Sequence, residues 1–98
     1  MRTDKIIEIE IDESERLLIK PETEKFTMIY RSASEVHWDN NKNCLYSPKP
    51  REWSYLDWYK HIVSLIVTDC NCRLLITEST LWINVPEDLK TEIKEFKN

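Results

Sequence analysis

The alternation of apolar and polar residues is sharpest between Trp53 and Thr68. Wound at about 100° per residue, Asp57, Lys60, His61, Ser64 and Thr68 gather within an arc of about 100°. Tyr55, Leu56, Trp58, Tyr59, Ile62, Val63, Leu65, Ile66 and Val67 fill the opposite arc of roughly 200°. The start is equally legible. Ser54 and Asp57 have capping-box spacing, and Trp53 and Trp58 stand where a hydrophobic staple packs one ring on the other. The pattern predicts a helix over about 55–68. A helix lying on one sheet needs an apolar stripe of little more than 100°, so a second apolar surface is expected to cover this one, either the rest of the chain or another copy of it. A sheet on one side and a partner subunit meeting Trp58, Ile62 and Leu65 on the other is the expectation adopted here.

Before this helix the period is two. Lys5 to Ile11 puts Ile7, Ile9 and Ile11 on one face and Glu8 and Glu10 on the other, which predicts a half-buried strand. Asp12 to Glu15 reads as a turn and Arg16 to Lys20 as the returning strand, ended at Pro21. Phe26 to Arg31 reads as a third strand, with Phe26, Met28 and Tyr30 on one side. Ser34 to Trp38 and Cys44 to Ser47 flank an Asn-rich connector with hairpin chemistry. Ser47-Pro48-Lys49-Pro50 is a stiff lead-in to the helix. After it, Cys72 to Thr77 and Leu81 to Val85 read as two strands joined near Glu78-Ser79, with Leu81, Ile83 and Val85 sharing a face. Pro86 opens a second helix, about 87–97, with a thin stripe of Leu89, Ile93 and Phe96. The expected fold is α+β: one domain over 1–98, a mainly antiparallel sheet of about five to seven strands, one long amphipathic helix and a C-terminal helix.

Composition narrows the function classes. The chain has 98 residues, a net charge of −4, and Lys and Arg scattered along its length, which argues against nucleic acid as a partner. No apolar run is long enough for a membrane span, and an alternating strand begins where a signal peptide would lie, so no membrane partner and a cytoplasmic location are expected. Glycine is absent, which removes glycine-rich phosphate loops and the G-x-S-x-G elbow and leaves tight turns to Asn and Asp. Cys44, Cys70 and Cys72 are odd in number, and Cys70-Asn71-Cys72 is not the C-x-x-C of zinc or thiol-exchange sites. Neither a cofactor nor a metal is expected.

Candidate chemistry is therefore a matter of binding. Four Trp and four Tyr are many for this length, and several cluster near the helix start. Trp38, Tyr46, Trp53, Trp58 and Tyr59 are the expected lining of a small aromatic cleft for a small ligand or a peptide. Core packing explains the same residues equally well. Glu35, His37 and Asp39 alternate on one predicted strand and could share a face for acid–base work, although an edge strand does this with no function. The acidic run Glu8, Glu10, Asp12, Glu13 and Glu15 fits a solvated face, or a patch for a basic partner.

Tyr46-Ser47-Pro48-Lys49-Pro50-Arg51-Glu52-Trp53-Ser54, preceded by Trp38-Asp39 and followed by Trp82-Ile83-Asn84-Val85-Pro86, resembles small integron gene-cassette proteins of the bacterial mobile metagenome. The resemblance spans about residues 28 to 88. It implies a bacterial, cytoplasmic, compact α+β protein that forms oligomers and has no assigned activity, and it supplies no functional residues. A looser similarity is to immunity proteins of toxin systems, small acidic α+β proteins. Three readings follow: a non-enzymatic binding module that self-associates as a homo-oligomer, most simply a dimer; an immunity-type protein neutralising a basic partner; and a small enzyme with a carboxylate or His in the cleft.

Overall fold

A computed structural model describes residues 1–97. Its sheet has five strands, β1 (Arg2–Ile11), β2 (Leu17–Pro21), β3 (His37–Asp39), β4 (Cys44–Tyr46) and β5 (Cys72–Ile83), in the spatial order β3-β4-β2-β1-β5. Two helices, α1 (Tyr55–Cys70) and α2 (Glu87–Glu95), complete the fold. Three of the four strand pairings are antiparallel, and β5 runs parallel to β1. The fold is α+β with a mostly antiparallel sheet.

α1 begins where the pattern predicts. Ser54 Oγ accepts the Asp57 N–H at 3.1 Å, and Asp57 Oδ2 accepts the Ser54 N–H at 3.1 Å, closing the capping box. The Trp53 and Trp58 rings lie 4.8 Å apart, which is the staple. At the far end Asn71 adopts the left-handed conformation (φ 53°, ψ 43°) and its N–H reaches the Ile66 carbonyl, doing the work usually left to glycine. Asn43 and Asn84 do likewise in other turns, as the absence of glycine demands. Glu15 also has positive φ, and it is neither Asn nor Asp.

The middle of the wide apolar arc of α1 is covered by its own chain, while Tyr55, Leu56, Leu65 and Val67 at its margins are half-buried. Trp58, Tyr59, Ile62, Val63 and Ile66 are buried. Beneath them the sheet contributes Ile6, Ile9, Leu17, Ile19, Leu45 and Leu74 to the same core. On one flank Tyr59 meets Phe96 edge-on at 6.2 Å, just past the end of α2, whose Leu89 and Ile93 are buried. On the other flank Trp53 folds over Trp58.

Two strand predictions are corrected. Phe26 to Arg31 is a pair of turns and a 3-10 helix at Ile29–Arg31, not a strand. Phe26 and Ile29 are buried while Met28 and Tyr30 are exposed, the three-residue spacing of a 3-10 turn rather than the period of two. Cys72 to Ile83 is one strand, not a hairpin. Its pairing with β1 jumps from Ile6↔Ile76 to Glu8↔Leu81, so β5 makes a three-residue excursion and keeps its direction. The buried Thr80 hydroxyl holds the excursion by donating to the Ile6 carbonyl (2.6 Å) and accepting the Thr77 N–H (3.0 Å). Past this kink the face assignment is reversed: Leu81 and Ile83 are exposed, and Trp82 packs against the core beneath Lys90 and Lys94. Smaller shifts concern Ser34 to Trp38, of which only the end is strand (β3 is His37–Asp39), and α2, which ends at Glu95 and takes Pro86 as its cap.

Candidate functional site

A recess of about 450 Å3 lies beside the start of α1, walled by Trp53, Trp58 and Pro48 and rimmed by Glu35, Lys49, Arg51 and Glu52. Its position follows from local sequence. The staple sets Trp53 across Trp58, and the stiff Pro48–Pro50 segment brings Lys49 and Arg51 alongside. Trp58 is buried, yet Trp53 is 44% exposed, so one indole forms a floor and the other an open wall. His61 meets both rings edge-on, at 5.1 and 5.8 Å.

The lead-in is pinned from two sides. The Ser47 N–H donates to the Leu17 carbonyl (3.0 Å), and the buried Ser47 hydroxyl accepts the Leu17 N–H (3.2 Å) and donates to the Pro48 carbonyl (2.9 Å). The turn between β1 and β2 supplies the second anchor. There the Glu15 carbonyl accepts the Tyr55 hydroxyl at 2.9 Å and the Glu15 carboxylate pairs with Lys49 at 2.6 Å. At the rim Arg51 and Glu35 stand 3.7 Å apart, both largely in solvent, a contact weak enough to be exchanged for a ligand's own charge.

The five aromatic residues expected in one cleft occupy four places. Trp53 and Trp58 are together. Trp38 packs edge-on to Phe26 at 6.0 Å and donates its indole N–H to Asn40. Tyr46 lies on the sheet face away from α1, stacked on His37 at 5.2 Å with the Arg16 guanidinium 4.5 Å above its ring. Tyr59 is buried on the opposite flank, and that burial pushes its phenol far above the ordinary range. Of the residues expected at an interface, Ile62 is fully buried and Trp58 nearly so within one chain, and Leu65 is half-buried.

The polar groups weighed for catalysis are also dispersed. Glu35 is at the recess rim. Asp39 accepts the Asn41 and Lys42 N–H groups; the Lys42 bond, partly opposed by desolvation, lowers its pKa. His37 is spent in the stack on Tyr46. The acidic run is partly neutralised: Asp12 binds Arg16 at 2.8 Å and Glu15 binds Lys49. Burial raises the Cys44 thiol to about 11, which leaves it an inert core group. Among the described residues no group of His, Cys, Asp and Glu could hold a metal ion, and no helix is long and apolar enough to cross a membrane.

Pro48, Lys49, Arg51 and Glu52 line the recess although the sequence reading treats them as a connector. The signal was their position: a proline-stiffened segment directly before a staple must run past the staple's outer ring.

Comparison with known proteins gives a consistent picture. The family profile described as Integron Cassette Protein Hfx_Cass5 matches residues 4–80. A solved structure of integron cassette protein Hfx_Cass5, from the mobile metagenome of the North West Arm sewage outfall, is similar to this chain at 36% identity and a TM-score of 0.51. The alignment covers 96% of this chain and 94% of that one. No curated protein matches the chain.

Proposed function

The chain belongs to the Hfx_Cass5 family of integron cassette proteins, and from that premise we propose that it is a non-enzymatic binding module for a small, flat, anionic ligand. The observation that carries this reading is the half-exposed Trp53 standing over the buried Trp58 beside the recess. A folded chain gains by covering an indole, and this one leaves Trp53 open where a planar ring could stack on it. The ligand's anionic group would take the place of Glu35 at Arg51, exchanging an exposed, loose pair for a charge-assisted contact beside the Trp53 ring. The three free thiols are in keeping with action in a reducing cytoplasm.

The test is calorimetric titration of a panel of planar aryl carboxylates against the natural protein, Trp53→Ala and Arg51→Ala. At least one compound should bind the natural protein and lose tenfold or more in affinity in each variant. A panel with no binder, or binding indifferent to both substitutions, would refute the proposal.

A further inference from the structure

β5 ends the sheet, and no strand covers its outer side among the described residues. Strands left at an edge are ordinarily short, or guarded by Lys, Pro or a covering element. β5 runs for 12 residues with neither Lys nor Pro in it; its charges, Arg73 and Glu78, and the excursion after Ile76 leave the backbone of Leu74–Ile76 unguarded. Its first half, Cys72 to Ile76, pairs inward with Arg2 to Ile6 without interruption, so half of its backbone N–H and C=O groups point outward. Alongside this half runs a groove of about 540 Å3, whose far wall is the end of α2 with Lys94, Phe96 and Lys97, and whose base includes Tyr59.

The charges in this groove oppose those of the whole chain. Arg73, Lys94 and Lys97 face Glu78 in a molecule whose net charge is −4. A free strand edge, a helix wall and a local basic excess together have the requirements for adding an extended acidic segment. We propose that β5 and the end of α2 form a docking groove for an acidic peptide, bound as a sixth strand along Cys72–Ile76. At about 3.3 Å per residue that segment admits roughly five residues of extended chain. Backbone pairing supplies the direction, and Lys94, Lys97 and Arg73 select acidic side chains. A second copy of the chain suits the edge poorly. Pairing β5 with β5 would bring the basic groups of both copies together, and the excursion after Ile76 breaks the line of the edge.

The experiment titrates the full chain with acetyl-(Val-Glu)3-amide, with the matching Val-Lys peptide, and with the acidic peptide N-methylated at alternate residues, read by amide NMR. The acidic peptide should shift the amides of Cys72–Ile76 and Lys94–Lys97. N-methylation, or the joint substitution of Lys94→Glu and Lys97→Glu on the exposed wall, should weaken it at least tenfold, and Trp53→Ala should leave it unchanged. Equal binding of acidic and basic peptides, shifts elsewhere only, or sedimentation showing a dimer with β5 at its seam would each overturn the proposal.

Discussion

Adjacent residues of α1 send aromatic rings to opposite flanks, and the two flanks end differently. Tyr59 is packed almost out of solvent: Phe96, just past α2, meets it edge-on, and it is 3% exposed, showing only an edge at the base of the groove beside β5. Trp58 is also buried, but its cover is Trp53, a residue of the lead-in that is itself half in solvent. One flank is closed by an element with its own buried residues, Leu89 and Ile93. The other is closed by a single ring held by a staple. Aromatic content alone therefore says little about a binding site; what matters is whether the covering group is anchored elsewhere. On the Tyr59 flank the aromatic residue is packed into the core, and on the Trp58 flank its cover stands half in solvent.

The contrast can be broken most forcefully from the packed side. Tyr59→Ala should cost about 3–4 kcal/mol of stability in denaturant unfolding, because it removes a nearly buried ring from the core between α1, α2 and the sheet. A cost near that of a surface change would mean that α2 does not close this flank.

The polar counterpart of this packed ring is Asp4, buried near the start of β1. Its carboxylate accepts the N–H groups of Lys5, Thr23 and Glu24 and the Thr23 hydroxyl, tying β1 to the segment that follows β2. Desolvation raises this carboxyl, but the hydrogen bonds outweigh it and hold it below the ordinary carboxylate range. Stabilisation from Asp4 is thus fully present above the unfolded-state pKa of about 3.9 and is lost as pH falls through the lower folded value. Asp4→Ala should cost about 2–3 kcal/mol at neutral pH by stranding those donors, and should flatten the fall in stability below about pH 4. An unaltered acid limb in the variant would show that other carboxylates carry it.

On the open flank the effects should be smaller. Ser54→Ala should cost about 1 kcal/mol by removing the cap on which the staple depends. Trp53→Ala should cost only about 0.5–1 kcal/mol, since half of the ring is already in water, while abolishing aryl carboxylate binding. A loss as large as that of Tyr59→Ala would make the two flanks equivalent. The smallest change concerns the turn that anchors Lys49 and Tyr55. Glu15→Asn should change stability by no more than about 0.5 kcal/mol, because the ease with which Asn takes the positive φ is offset by loss of the exposed pair with Lys49.

These two flanks also differ in how far they could be read from sequence. The start of α1, its cap and its staple were legible because each depends on residues within a few positions of one another, and the recess beside Trp53 follows from them. The cover over Tyr59 was not: Phe96 lies far along the chain, and no local pattern says where α2 will settle. The same reason explains the misread β5. Glu78-Ser79 looks like a hairpin turn if only neighbours are considered. The chain runs straight on because β1, more than 60 positions earlier, offers it a parallel partner, and because Thr80 bonds the Ile6 carbonyl across the kink. Phe26 to Arg31 differs for another reason: Phe26, Met28 and Tyr30 alternate in sequence, but the chain buries Phe26 and Ile29, three apart, and leaves Met28 and Tyr30 in solvent.

The sharpest test of an open flank follows the four tryptophan indole N–H resonances as the tightest-binding aryl carboxylate is added. Trp53 and Trp58 should move together along one binding curve while Trp38 and Trp82 stay in place. Movement of Trp38 or Trp82 with Trp53 and Trp58 unchanged would contradict the account.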